Sequence, residues 1–423
     1  LKKNSLLNHF TFHFGIYFTS TIISKIIPFL LLPVITKILI PAEYGKWSVF
    51  SSILVFTVPF AGLMMRYHIA RSYYKLSREK MGELLSNVIF ITLISSISIF
   101  LLSLIFSLFY KNFFLDYRIY LIPLLAFLTC ISEYFTTILR YEKKPLLYAV
   151  FELSGTLILW TIAVALIISD IMKWEGMLAG SVLSAFLITV FSLIYFRKNG
   201  FLIFKFSKEA VKSAVKIGIP LLPHAAAASI IAMSDRLILV KMTTTEIVGI
   251  YSVGYALGMT VNIFIEAFNK NWGPWIYEKL TEISEEIKIL IVKNTYIFIA
   301  VLTAAFIAVC AGGSLYINFF IDPKYHSAVP VLYWAALAAF FRGLYIAIFP
   351  YMTYLGITYI YSVISVISGV FNVILTIILV KYYGMIGAAQ ATAAAFFLMF
   401  ILLFIFSNSR FPMPWLFFLK RVK

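Results

Sequence analysis

The sequence predicts an all-α protein that crosses a membrane many times and is built from two six-helix halves. Three observations lead there. The first is that 62% of its 423 residues are hydrophobic, with a mean hydropathy of +0.96. A water-soluble fold with that composition would have to carry an apolar surface. The second is that only 13% of residues are charged, about half the ~25% usual for soluble domains. The third is that apolar runs recur from end to end, each near the ~20 residues a helix needs to span a bilayer.

Twelve such windows can be marked out, at 11–38, 44–65, 84–110, 119–139, 146–169, 177–196, 217–240, 249–271, 287–310, 329–352, 359–380 and 385–406. The loops between them alternate in charge. With the N-terminus in the cytoplasm, inner segments hold about 24 Lys or Arg and outer ones about 8, the bias that orients membrane proteins. Both termini are therefore expected inside. Lys2 and Lys3 precede a long apolar stretch without a small-residue cleavage site, which reads as a retained first helix rather than a removed leader.

The formal net charge of +17 follows from those basic inner loops, so it gives no reason to expect nucleic acid. The two cysteines, Cys130 and Cys310, both fall inside apolar windows, which leaves no disulfide framework or metal site to expect. No nucleophile elbow, phosphate-binding glycine loop or zinc-binding His pair appears. The chain therefore reads as a transporter without a cofactor, not as an enzyme or a nucleotide-driven pump. Any energy it uses comes from an H+ or Na+ gradient or from the substrate's own gradient.

Two halves are expected, 1–206 and 207–423. Between the sixth and seventh windows lies the longest basic loop, residues 197–216, where Ser207 to Lys216 spaces its lysines along an apolar stripe. That pattern suits an amphipathic helix at the inner surface, in contact with membrane lipids. Short repeats agree with the division. Gly45-Lys-Trp47-Ser48-Val49 recurs as Gly249-Ile-Tyr251-Ser252-Val253, and Trp174-Glu-Gly176-Met177 as Tyr383-Gly384-Met385. Six spans per repeat give the halves one orientation, with a transport path expected between them.

Charges inside apolar windows are the informative ones, because one at the bilayer centre costs at least ~2.5–3.5 kcal/mol and by default marks a cavity or an ion path. Lys25 and Arg342 stand near the middle of the first and tenth windows. Asp235 and Arg236 lie toward the outer end of the seventh, about 100° apart on a helix, so they need not pair with each other. Glu133, Glu152 and Glu266 occupy the inner parts of the fourth, fifth and eighth. Arg66 and Arg140 close the second and fourth on the inner side. Lys25 and Arg342, then Arg236 and Arg66, are the candidate substrate-binding residues. Asp235, Glu266, Glu133 and Glu152 are candidates for ion coupling or cavity ion pairs.

Each has a plainer reading beside it. Arg66 and Arg140 suit end residues that snorkel to the interface. Asp235 and Arg236 suit interhelical pairs that hold the bundle, and Glu152 and Glu266 suit structural groups near the interface. His224 suits a hydrogen-bonded side chain rather than a titrating one. Pro28 and Pro33 in the first window, and Pro220 and Pro223 in the seventh, are the expected helix breaks, since proline removes a backbone donor. Broken helices at matching places in two repeats point to a transport site.

At these residues the chain resembles the O-antigen type of polysaccharide flippase, within the multidrug/oligosaccharidyl-lipid/polysaccharide exporter superfamily. The resemblance rests on IPFLLLPVITKILIPAEYGKWSVF in the first window, SDRLILVK followed by EIVGIYSVGYALG, FIDPKYHSAVPVLYWAAL after the ninth, and YYGMIGAAQATAAAFFLMF at the twelfth. None is diagnostic alone; their order and the twelve-window plan carry the likeness across essentially the whole chain. It implies two pseudo-symmetric bundles in a MATE-like arrangement with an alternating-access cavity. It also implies a surface-polysaccharide repeat unit on an undecaprenyl pyrophosphate carrier as substrate, moved from the cytoplasmic to the outer leaflet of a bacterial inner membrane. Implied partners are the polysaccharide polymerase and chain-length machinery, around a monomeric flippase. Cationic cavity residues would then bind the pyrophosphate.

Three other readings stay open. One is a peptidoglycan-precursor flippase, a group for which the resemblance implies extra helices that this chain has no room for. An organic-cation antiporter of the same fold would use Asp235, Glu266 and Glu133 as a titratable cavity. A membrane-embedded glycan polymerase or ligase would be expected to show a large outer loop, and the outer loops here are short.

Overall fold

The structure is a computed structural model that describes residues 2–109, 116–203, 205–281, 284–354 and 359–416. Among them every regular element is helical: α1 (Lys2–Ile38), α2 (Pro41–Gly62), α3 (Arg66–Ser72), α4 (Arg78–Phe109), α5 (Leu121–Tyr141), α6 (Pro145–Ile168), α7 (Trp174–Lys198), α8 (Lys208–Gly218), α9 (Leu222–Met242), α10 (Thr245–Gly258), α11 (Asn262–Thr281), α12 (Glu285–Phe320), α13 (Val329–Tyr354) and α14 (Tyr359–Arg410). The helix starts follow ordinary capping chemistry. Pro41 and Pro145 open α2 and α6. The hydroxyls of Ser207, Thr244 and Ser284 accept first-turn N–H groups of α8, α10 and α12.

Nine helices among the described residues are long and apolar enough to cross a membrane, and eleven if two bent pairs are each counted as one span. Reaching the expected twelve also requires α14 to be divided. Its 52 residues would run ~78 Å as one rod, more than twice the ~30 Å hydrocarbon core. Gly384 interrupts it with φ 55° and ψ −135°, a conformation open to glycine and costly for other residues. The repeat motifs fall at equivalent local places. Gly45 and Gly249 each lie in the second turn of their helix, and Gly176 opens α7 as Gly384 marks the break in α14.

The chain separates into two compact units, Leu1–Ala226 and Ala227–Lys423. This boundary falls inside α9, later than the 206/207 division expected from the sequence. The difference comes from α8, which packs on the first unit. Ala214 and Gly218 are buried there while Lys208, Lys212 and Lys216 stay exposed. Gly218 lies so close to the Leu63 carbonyl that a Cβ would sit 2.1 Å from its oxygen.

In the first unit, α1 packs along α6, α6 along α7, and α2 along α5. A core of Met65, Ile69, Leu85, Ile131, Tyr134, Phe135, Ile138 and Phe196 ties α3, α4, α5 and α7 together. The segments expected on the inner side meet at one end of this unit. Arg78 donates to the Asn199 carbonyl (2.8 Å) and pairs with Glu142 (3.1 Å), and Lys205 pairs with Glu83 (3.0 Å). Outer segments also meet, through Arg118 and Glu175 at 2.8 Å. Which end faces the cytoplasm rests on the charge bias.

The second unit packs α13 against α14, α10 and α12. Its core holds Trp272, Ile276, Ile291, Tyr351, Met352 and Leu403. The Trp272 indole donates to the Ala347 carbonyl at 2.9 Å, so the buried ring leaves no orphaned N–H.

Candidate functional site

A polar opening in the first unit is made by a break in the second span and by one face of α5. After Gly62 the chain turns through Leu63 and Met64, at φ 43° and 55°, left-handed values that are uncommon for such side chains. α3 then leaves at 48° to α2. The turn brings Arg66, Tyr67 and Ala70 to face Glu133, Thr137, Arg140 and Tyr141, which share a stripe of α5 at helical spacing.

The result is a pocket of about 450 Å³ lined by Arg66, Tyr67, Ala70, Thr137, Arg140 and Tyr141. Arg66 pairs with Glu133 at 3.0 Å and donates to the Tyr67 hydroxyl at 3.3 Å. Arg140 donates to the Thr136 carbonyl at 3.3 Å and the Thr137 hydroxyl at 3.4 Å. Two guanidinium groups thus border one opening, and a single carboxylate balances them locally. Guanidinium forks suit phosphate oxygens, and the two tyrosines add flat apolar faces with polar edges. The site is held from below by His68, whose ring contacts Ser72 on α3 and Ser213 on α8 at 3.3 and 3.2 Å.

The other sequence candidates lie elsewhere. Lys25 is exposed on α1, one residue beyond Ser24. Glu152 on α6 is half-buried and faces the hydroxyls of Ser20, Thr21 and Ser24 on α1, each at 3.4 Å. In the second unit Asp235 is fully buried. It accepts from the Arg236 guanidinium at 3.3 Å, from its backbone N–H at 2.8 Å, and from the Tyr251 hydroxyl. The two neighbours do pair, despite their angular separation, because the Arg236 side chain is long enough to fold back. Its guanidinium also lies over the Tyr255 ring, 4.4 Å from the centroid. Arg342 on α13 is half-buried and donates to Asn262 at 2.5 Å. Glu266 is half-buried on α11, and the His224 side chain lies outside the described residues.

The proline pairs differ. Pro28 and Pro33 lie within α1. Neighbouring helices let a spanning helix tolerate proline. Pro220 lies in a tight turn between α8 and α9, within a bend of 45°, and Pro223 follows in the first turn of α9.

Arg140 is the pocket residue that sequence reasoning set aside. A signal was present: Arg-Tyr occurs as Arg66-Tyr67 and again as Arg140-Tyr141, at the same end of two spans.

Comparison with solved structures defines the fold. An inward-facing multidrug resistance MATE family transporter of the MOP superfamily matches with a TM-score of 0.71 and 15% identity, over 90% of this chain and 93% of that one. The lipid II flippase MurJ, in an inward closed conformation, matches with a TM-score of 0.61 and 17% identity, over 93% and 87%. A MATE transporter of Vibrio cholerae gives 0.61 and 12%, over 96% and 97%. The fold is therefore MATE-like, the arrangement expected from the sequence.

The sequence then places it more closely. The chain belongs to the polysaccharide biosynthesis protein family, which it matches over residues 13–280. It is similar to a protein of the Lsg locus of Haemophilus influenzae, 26% identical over 276 residues, 63% of this chain and 66% of that protein. A membrane protein of the same organism is 24% identical over 279 residues, 65% and 67% of the two chains. The chain thus spans about two thirds of the length of these relatives.

Proposed function

We propose that the protein flips a glycan carried on undecaprenyl pyrophosphate, an O-antigen or other surface-polysaccharide repeat unit. Movement runs from the cytoplasmic to the outer leaflet of a bacterial inner membrane, by alternating access, with both termini cytoplasmic. The observation that carries the reading is the Arg66–Arg140 pocket: two guanidinium groups and two tyrosines around one opening. A pyrophosphate entering a membrane protein must trade water for charged donors, and arginine supplies them in paired geometry. The tyrosine faces suit the first sugar. Family membership supports glycan chemistry as the setting, and the lipid II flippase among the fold's neighbours provides a precedent for a lipid-linked cargo.

The antiporter reading draws less support. It needs acidic groups open to a cationic drug, whereas Asp235 is fully buried against Arg236 and Tyr251, and Glu133 is paired with Arg66.

The test is a deletion strain of the host complemented with wild type or with Arg66→Ala/Arg140→Ala. Deletion is expected to abolish surface glycan while lipid-linked repeat units accumulate inside. The double variant, at normal protein level, is expected to behave like the deletion. Full glycan display in the deletion strain would refute the function, and full display with the double variant would refute the pocket's role.

A further inference from the structure

The second unit holds a cavity of its own, about 530 Å³ between α11 and α12. Residues 282–284 join the two helices, which pack on each other as an antiparallel pair. Across the seam the Phe268 and Phe298 rings stack with centroids 3.6 Å apart, and Trp272 stacks on Phe268 at 4.8 Å. Phe264 and Leu302 continue the apolar wall away from the connection. The lining on α11 runs from Phe264 to Trp275, about 16 Å of helix axis and close to half of the ~30 Å hydrocarbon core.

The end nearest the connection is different. Trp275 and Asn294 line it, and both are half-buried. Among the described residues, neither the Trp275 indole N–H nor the Asn294 amide has a hydrogen-bond partner. Trp272 beside them does, in the Ala347 carbonyl. Unpaired donors at membrane depth are costly, so this pair calls for an acceptor from outside the chain. Lys293 is exposed and shares a row of α12 with Ile297 and Val301, which puts it at the same end. The acidic groups of this region have partners nearby: Glu285 pairs with Lys288 at 2.8 Å and Glu278 with Lys279 at 3.6 Å.

We propose that the α11–α12 groove is a binding site for a glycerophospholipid of the surrounding bilayer. The phosphate takes its place among the Lys293 ammonium, the Trp275 N–H and the Asn294 amide, all donors to an anionic acceptor. One acyl chain lies over Phe268 and Phe298. The volume decides between lipids. A cavity of this size suits one drug-sized molecule and has room for one acyl chain, whereas an undecaprenyl chain is several times bulkier. The occupant is therefore a bilayer lipid and not the carrier of the proposed cargo, and it braces α11 against α12. Nothing in this inference rests on the flippase reading.

The test is a titration of the full chain, purified in detergent, with phosphatidylglycerol whose acyl chains are brominated and so quench nearby tryptophans. Quenching is expected to saturate with the mole fraction of this lipid. Brominated diacylglycerol, which lacks the phosphate, should need a several-fold higher mole fraction to reach half-saturation. Lys293→Gln is expected to remove most of that difference. Ala267→Phe, which fills the groove, should abolish saturable quenching. Trp275→Phe keeps the apolar wall and removes the N–H; it should lower both the maximum quenching and the preference for phosphate, and it serves if Ala267→Phe does not fold. Equal half-saturation by the two lipids would overturn the proposal, as would a preference untouched by both Lys293→Gln and Trp275→Phe. Displacement of the brominated lipid by undecaprenyl phosphate at lower mole fraction than by plain phosphatidylglycerol would give the groove to the carrier and overturn it likewise.

Discussion

Replacing Arg66 with Ala removes one of the two cations at the pocket mouth. Two unit charges 4 Å apart interact by about 4 kcal/mol at an effective dielectric of 20. The Arg66 side chain is 39% exposed and that of Glu133 33%, so solvent screening cuts this to about 1 kcal/mol for a single pair. A bound pyrophosphate brings more than one negative charge, and in the variant it would also face Glu133 without its partner. Together these effects put the loss at about 1.5–3 kcal/mol, roughly 10- to 150-fold in affinity. The assay is calorimetric titration of the purified chain with inorganic pyrophosphate at low and moderate salt. Wild type is expected to bind, and more weakly as salt rises. Arg66→Lys should recover only part of the loss, because an ammonium lacks the paired fork. Arg66→Ala/Glu133→Ala should bind better than Arg66→Ala alone. Binding by Arg66→Ala within twofold of wild type, or wild-type binding indifferent to salt, would refute the reasoning.

Two further outcomes follow from the same structure. Asp235→Ala leaves Arg236 and the Tyr251 hydroxyl without their buried acceptor and is expected to cost about 3–5 kcal/mol of stability; denaturation of the detergent-solubilised variant against wild type measures it. Glu142 lies in the turn after α5. Burial alone would raise its pKa, but hydrogen bonds from Tyr195, Lys144 and Arg78 outweigh that and hold it below the usual carboxylate range. A depressed folded-state pKa gives stability that is present above the unfolded value of about 4.3 and is lost as pH falls through the folded one. The stability advantage of wild type over Glu142→Gln should therefore be full at pH 6 and shrink below about pH 4, as unfolding midpoints across that range would show.

How much of this was legible beforehand differs from residue to residue. The apolar windows foretold the helices because a bilayer demands length and composition, both linear properties of a chain. Gly384 stood out in a repeat motif, and it proves to be where the longest helix breaks. The division into halves was read at the basic loop before α8, yet the contacts continue to Ala226. That helix is amphipathic, and its pattern does not say which neighbour takes the apolar face. Pro28 and Pro33 lie within α1, while Pro220 and Pro223 lie next to a bend between Leu221 and Ala225.

The sequence by itself determined that this chain crosses a membrane many times, and which charges sit in apolar surroundings at a cost that calls for partners. Those follow from solvation, which each residue meets largely alone. Only the tertiary structure decided who the partners are: Asp235 closes on Arg236 and Tyr251, Glu152 faces three hydroxyls of α1, and Arg140 joins Arg66 across a pocket. A pair of side chains 74 positions apart meets only when helices pack and a turn at Leu63–Met64 aims one toward the other, and no local pattern records that angle.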